Sequence, residues 1–370
     1  MLRVCLVGLI AGGHSGIPRY ASALTNALDR VAPDFPELSL RLLTTERGAH
    51  EAAAHRIGVD VVRGPLATAS AGWRRIVAEQ VHARRADADL LHFFDLTGPV
   101  LAPRRSFTAT VHDAALRHGF ASSRLPHKSL LQPWSIRRAT ATVAVSAFAR
   151  DEAVERFGAD PARIRVIHSG PGLIGDETAD PPPSAVAPSP NGAPYMLYVG
   201  NLAVHKNLPF LVRAFGAAGV DARLLLVGRR GARFEEVRQA VESSPARDRI
   251  EIRGDASDAE VDRLYRGASG LLLPSRYEGF GFTALEAMAR GCPVLASDIP
   301  ALREVSGDGA LLLPLDDQPA WSDAMRRVVS DAELGGDLRR RGTATARRYS
   351  WEATARGVCR FFLDVSQAPA

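Results

Sequence analysis

Two glutamates, Glu278 and Glu286, flank the start of an amphipathic stretch, with Gly279, Phe280 and Gly281 between them. Eight helical residues rise about 12 Å. Two carboxylates so spaced can accept hydrogen bonds from the two ends of one elongated, hydroxyl-rich ligand. The amides of the first helical turn lie between them and suit an anion. A sugar joined through phosphates to a ribose has that layout. Lys206 follows an apolar run in a chain whose only other lysine is Lys128, and a lysine retained there suits a phosphate as a point charge. The bland alternatives are a helix with a solvated acidic face and a surface lysine.

These residues need particular elements to hold them. Leu271 to Leu273 read as a short buried parallel strand. Gly279 and Gly281 then open a helix with Phe282, Leu285, Met288 and Ala289 on one stripe, closed by Gly291 and followed by Pro293. Tyr195 to Gly200 read as another buried strand, followed by NLAVHKN and a helix from Leu208 to about Ala217. Leu2 to Gly8 read as a strand, AGGHSGIPRY as a glycine loop, and a helix runs from about Arg19 to Ala32. Strand, glycine loop and helix make the phosphate-cradling layout of doubly wound folds, although a G-x-G-x-x-G nicotinamide fingerprint is absent. Phe107 to Asp113 form a strand ending at His112, and the carboxyl ends of parallel strands are where such sheets bind ligands. The other reading of His112 is a ring satisfied by Asp113 or by backbone. Further strands are expected at Leu38 to Leu43, Val59 to Val62, Ala88 to Phe94, Leu224 to Gly228 and Ile250 to Gly254. Helices are expected at Trp73 to Arg85, with Trp73, Ile76, Val77 and Val81 on one face, and at Asp258 to Gly267. Ser146 is placed as a helix N-cap. This alternation implies an α/β, doubly wound parallel architecture.

The stretch YEGFGFTALEAMARGCPVLAS, Tyr277 to Ser297, resembles the donor-site signature of the retaining glycosyltransferase family 4, whose architecture is GT-B. The resemblance extends over nearly the whole chain. It implies two Rossmann-like domains facing across a cleft, with a nucleotide-sugar donor held mainly by the second. In its terms Glu278 positions the hydroxyls of the donor sugar, Glu286 holds the ribose, and His112 hydrogen-bonds the sugar near the reacting carbon. Lys206 matches one of two basic ligands of the diphosphate. The other position is Asn201, a departure that leaves the second charge missing or supplied by Arg229, Arg230 or Arg276. Gly13 and Gly16 approach the donor phosphates and the acceptor, and His14 can face the acceptor. The expected catalytic set is therefore His112, Lys206 and Glu278. The expected donor-binding set is Gly13, Gly16, Asn201, Arg229, Gly279, Phe280, Gly281 and Glu286.

The expected domains are residues 1–179 on the acceptor side, a linker over 180–194, a nucleotide-sugar domain over 195–348, and a C-terminal helix over 349–370. The linker DPPPSAVAPSPNGAP carries six prolines in fifteen residues, too many for a helix or sheet interior. The final segment resembles the family helix that crosses back to the first domain.

Composition narrows the class. With 46% hydrophobic and 24% charged residues the chain is an ordinary globular protein, long enough for two cores. No apolar run approaches the ~18 residues that span a bilayer, and the apolar N-terminus reads as a first strand, not a signal peptide. Cys5, Cys292 and Cys359 lie far apart, which argues against a disulfide framework or a zinc site and fits a reducing cytoplasm. The net charge of +5 comes from arginine, and no nucleic-acid module accompanies it, so no nucleic-acid partner is expected. Arg117 to Arg138 mixes apolar residues with Arg124, His127, Lys128, Arg137 and Arg138. It leaves room for peripheral contact with the inner face of a membrane, but its lack of a clear apolar face favours an ordinary helix with a solvated basic edge.

The expected reaction is transfer of a sugar from a nucleotide donor, GDP-mannose-like by resemblance, to an acceptor hydroxyl with retention of configuration. The acceptor is a glycan, a lipid-linked sugar or a small molecule. The nucleotide sugar is a co-substrate; no cofactor is expected, nor a metal, because the Asp-x-Asp of metal-dependent transferases is absent. The rival readings are a GT-B epimerase or phosphorylase and a non-catalytic nucleotide-sugar-binding paralogue.

Overall fold

The structure is a computed structural model of the 370-residue chain, and it describes residues 1–8, 16–45, 56–62, 73–96, 106–118, 126–172, 193–231 and 233–367. The chain divides into two units, Met1–Gly172 with Tyr349–Ala370, and Leu173–Arg348. Each is an α/β unit around one parallel sheet. Gly13 and His14, the 180–192 part of the linker and residues 119–125 of the basic segment lie outside the described residues.

In the first unit the strands are β1 (Leu2–Val7), β2 (Leu38–Thr45), β3 (Gly58–Val62), β4 (Leu90–Phe93), β5 (Ser106–Val111), β6 (Ala141–Ala144) and β7 (Ile164–Val166). The helices are α1 (Gly16–Val31), α2 (Trp73–Arg85), α3 (Pro126–Arg138), α4 (Ala147–Phe157) and α12 (Trp351–Gln367). The sheet order is β3-β2-β1-β4-β5-β6-β7 with every pairing parallel, as in Leu2 opposite Leu38 and Val4 opposite Leu90. Val4 to Val7 and Leu90 to Phe93 are buried on both faces of the sheet, which is why these stretches show no polar alternation. Ser146 caps α4, its Oγ accepting from the Ala149 amide at 2.9 Å. The apolar side of α12, with Trp351, Ala355, Val358 and Phe362 buried, packs against this unit, where the Trp351 ring stands 5.6 Å from that of Tyr20.

One stripe differs from expectation. In α2 Ile76, Gln80 and Ala83 are buried while Val77 is 39% exposed. Ala78 and Glu79 are buried as well, so burial extends beyond a single stripe yet leaves out Val77, which stands about 100° of helix rotation from Ile76.

The second unit carries β8 (Tyr195–Val199), β9 (Arg223–Val227), β10 (Ile250–Arg253), β11 (Gly270–Leu273), β12 (Val294–Ser297) and β13 (Leu311–Leu313). Its helices are α5 (Leu208–Ala218), α6 (Phe234–Glu242), α7 (Asp258–Gly267), α8 (Phe282–Ala289), α9 (Pro300–Ser306), α10 (Gln318–Ser330) and α11 (Ala332–Ala346). The order β10-β9-β8-β11-β12-β13 means that the chain winds outward from β8 and then restarts at β11 on the other side of β8. The loops leaving the carboxyl ends of β8 and β11 therefore start side by side at a switch point, the kind of position where doubly wound sheets bind ligands. Apolar cores cover both faces of this sheet, one around Leu211, Phe215 and Trp321, the other around Tyr265, Leu271 and Met288.

The helix carrying Glu286 is more buried than a single stripe predicts. Ala284 to Met288 are all buried, while Phe282 and Ala289 are half-buried. α8 is covered on its outer side as well, since Gly342 of α11 lies against Met288.

Candidate active site

The two loops leaving the β8/β11 switch point bring together two residues singled out by type. Lys206, in the short turn after β8, donates from Nζ to Glu278 Oε1 at 2.6 Å, and Glu278 follows β11. Ser275, fully buried, donates its hydroxyl to the same Oε1 at 2.7 Å. The pair keeps a window to solvent, with side chains 17% and 16% exposed. Burial pushes the Glu278 carboxyl up, but the charge and hydrogen bond of Lys206, the Ser275 hydroxyl and nearby His205 together outweigh it and hold the group below its ordinary range. Glu278 is thus an ionised acceptor with one oxygen fixed by two donors.

The surrounding loops are tied to each other. The Arg276 amide donates to the His205 carbonyl at 2.8 Å, and the Arg276 guanidinium pairs with Asp316 at 2.7 Å. Asn207, at φ +57, donates from Nδ2 to Asp316 at 2.9 Å. Arg276 is therefore engaged by a carboxylate.

Glu278 leads directly into α8. Gly281 takes φ +111 as its N-cap, a backbone conformation that favours glycine, and a Cβ there would also press on the Leu302 Cδ2 methyl at 2.9 Å. The first intrahelical bonds are those from the Ala284 and Leu285 amides to the Gly281 carbonyl, and a helix start of this kind presents partial positive charge. Phe280 is buried with its ring 5.0 Å from that of Phe282, so a ligand would meet its backbone. Glu286 is buried within α8 and accepts a 2.9 Å hydrogen bond at Oε2 from the Tyr265 hydroxyl of α7.

On the β9 side, a Cβ on Gly228 would fall 2.0 Å from the Gly200 carbonyl oxygen; the strand-end backbones touch. Asn201 is exposed, with its carbonyl accepting from the Tyr198 hydroxyl at 2.9 Å. Arg229 is exposed and pairs with Asp255 at 3.2 Å across the loops after β9 and β10. Arg230 faces Leu202 through an isolated parallel bridge and lays its guanidinium over the Phe234 ring.

In the first unit, His112 follows β5 and its Nε2 lies 2.7 Å from the Phe94 carbonyl. A carbonyl only accepts, so Nε2 carries the proton and Nδ1 is the acceptor of the neutral ring. Burial depresses its pKa, opposed in part by the Phe94 bond and by Asp113 and Asp95, and the Tyr20 ring meets it edge-on at 4.6 Å. The bland reading of His112 thus accounts for one nitrogen only. His92, by contrast, is a core histidine held between Thr108 and Thr110, with its pKa pushed down to about 3 by burial. Gly16 opens α1, with nothing within 4 Å of a Cβ placed on it. In the basic segment Arg137 donates to the Phe157 carbonyl at the end of α4 and Arg138 stacks over Trp134. No helix among the described residues is long and apolar enough to cross a membrane.

Sequence reasoning passed over Ser275 and Tyr265. Ser275 stands three residues before Glu278, a spacing at which a hydroxyl and a carboxylate meet in one turn. Tyr265 lies on an apolar stripe with Val261 and Leu264, where a buried hydroxyl implies a polar partner.

Two doubly wound parallel sheets are the architecture of GT-B glycosyltransferases. The chain belongs to glycosyltransferase family 4: the family model Glycosyltransferase Family 4 matches residues 14–171 and Glycosyl transferases group 1 matches residues 184–348. O-antigen chain mannosyltransferase B of Escherichia coli is 34% identical over 162 residues, 43% of this chain and 42% of that protein. The D-inositol 3-phosphate glycosyltransferase of Kineococcus radiotolerans is 29% identical over 350 residues, 84% of this chain and 79% of that one. Against several curated relatives the chain spans 42% to 61% of their length. Among solved structures, sucrose-phosphate synthase from Thermosynechococcus elongatus superimposes with a TM-score of 0.75 at 20% identity over 100% of both chains. The Anabaena protein HepE, solved with UDP and glucose, gives 0.73 at 17% identity over 98% of this chain and 100% of its own.

Proposed function

We propose that the protein transfers a sugar from a nucleoside-diphosphate sugar to an acceptor hydroxyl in glycan or glycolipid assembly, with retention of configuration, without a metal, and on the cytoplasmic side. GDP-mannose is the first donor to test, since two curated relatives are O-antigen mannosyltransferases. The observation that carries the reading is the Lys206–Glu278–Ser275 cluster at the mouth of α8, at the sheet's switch point. Lys206 has three N–H donors, so it can keep Glu278 while meeting a diphosphate oxygen. With the Gly279 to Gly281 segment at the helix start it stabilises the charge that develops on the leaving diphosphate. Glu278 offers its remaining acceptor positions to sugar hydroxyls, Glu286 accepts from the ribose, and His112 Nδ1 accepts from a sugar hydroxyl. Among the described residues of the first unit no carboxylate stands out as a nucleophile, which favours front-face attack assisted by the leaving group over double displacement.

The test is turnover of GDP-mannose, UDP-glucose and UDP-galactose with candidate acceptors, in the presence of EDTA, with the anomeric configuration of the product read by NMR. An α-linked product formed from an α-donor in EDTA supports the reading. An inverted product, or activity abolished by EDTA and restored by a divalent cation, overturns it. Donor epimerised or phosphorolysed without an acceptor assigns the epimerase or phosphorylase reading instead.

A further inference from the structure

From the Tyr265–Glu286 contact we infer that Tyr265 is a positioning residue for nucleotide recognition, its hydroxyl setting the orientation in which Glu286 meets the ribose. The inference rests on the ribose role proposed for Glu286. Tyr265 is fully buried on α7, and its hydroxyl donates to Glu286 Oε2 at 2.9 Å; Glu286 is 5% exposed on α8. A buried phenol whose only task was to fill the core would serve better as phenylalanine, because an unpartnered buried hydroxyl is costly. A carboxylate has about four acceptor positions, and the Tyr265 hydroxyl fixes the direction of one of them.

The two helices that carry the pair are locked together. Asp262 of α7 accepts from Arg290, just beyond α8, at 2.8 Å. Arg339 of α11 donates to the carbonyls of Ala268 and Gly291, at the ends of the same two helices, at 3.3 and 2.5 Å. Helix α7 is thereby held in register with α8, and the phenol oxygen is delivered from a rigid support. Such a support holds a polar contact to within the fraction of an ångström that hydroxyl recognition needs.

The test is calorimetric binding of GDP and UDP, each against its 2′-deoxy and 3′-deoxy form, to wild type, Tyr265→Phe, Glu286→Gln and the double variant. Circular dichroism and thermal unfolding check that each is folded. Wild type is expected to favour the ribonucleotide by about tenfold. Glu286→Gln, whose amide oxygen still accepts but without charge, should lose most of that preference. Tyr265→Phe should bring it to about a third or less of the wild-type ratio, and the double variant should fall no lower than Glu286→Gln alone. If Tyr265→Phe keeps the wild-type ratio while Glu286→Gln loses it, Tyr265 only fills the core and the inference is overturned with the ribose reading intact. If Glu286→Gln itself keeps the ratio, the ribose reading fails and takes the inference with it.

Discussion

Replacing Lys206 by alanine removes the ammonium that lies 2.6 Å from Glu278 Oε1 and separates two roles for that charge. If Lys206 stabilises the departing diphosphate, kcat should fall by about one to three decades, equivalent to roughly 1.4 to 4 kcal/mol of barrier. The same change strands Glu278, a carboxylate only 16% exposed. That environment lies between an open surface pair and a buried one, so unfolding free energy should fall by about 1 to 3 kcal/mol. Loss of stability alone therefore proves nothing about catalysis, and the deciding comparison is made on a background without the carboxylate. Glu278→Gln and Lys206→Ala/Glu278→Gln are to be assayed for nucleoside diphosphate release at saturating donor and acceptor. If Lys206 acts on the leaving group, the double variant is slower than Glu278→Gln by the same one to three decades. If the two rates agree within twofold, Lys206 serves only to neutralise Glu278 and the catalytic role is refuted.

Three further outcomes follow from the geometry. Glu278 is held below its ordinary value of 4.5, so its stabilisation is complete above that pH and lost as pH falls through the folded value. The stability gap between wild type and Glu278→Gln should therefore narrow from pH 7 to pH 3 in chemical denaturation, and a constant gap would contradict the ion pair. Burial keeps His112 below its ordinary 6.5, so the acid limb of kcat/KM assigned to it, by its disappearance in His112→Ala, should lie below pH 6.5. A limb at or above that value would remove the neutral-acceptor role. Gly228→Ala would force a Cβ to 2.0 Å from the Gly200 carbonyl at φ +144. It should lower unfolding free energy by at least about 2 kcal/mol and weaken nucleotide binding, both readable in one thermal-shift titration; an unchanged midpoint would show that the strand ends do not need to touch.

What could be read from the residues depended on whether the information was local. Strands such as YMLYV and GLLL are legible because a parallel sheet covered on both faces demands unbroken apolar runs, and they fall within a residue or two of expectation. Ser146 is legible as a cap because its partner amide is three residues away. Val77 stays outside the core because isolated apolar side chains do not say which side of a helix the core will cover; in α2 the core takes Glu79 and Gln80 instead. Glu278 and Glu286 stand out because both belong to one strand-loop-helix segment.

The residues that orient them do not share that advantage. Tyr265 precedes Glu286 by 21 positions on another helix, and the two meet only because α7 and α8 flank β11 and pack into one core. Lys206 reaches Glu278 over a separation of 72 residues, because the order of strands makes β8 and β11 neighbours although two strands intervene in sequence. A motif can thus pick out the two carboxylates proposed to meet the ligand, but the direction in which each presents its oxygens is set by hydroxyls and a cation, two of which arrive from other elements. Selectivity for a given nucleotide sugar should therefore respond to changes at Tyr265 and Lys206, outside the glutamate motif, as well as to changes within it.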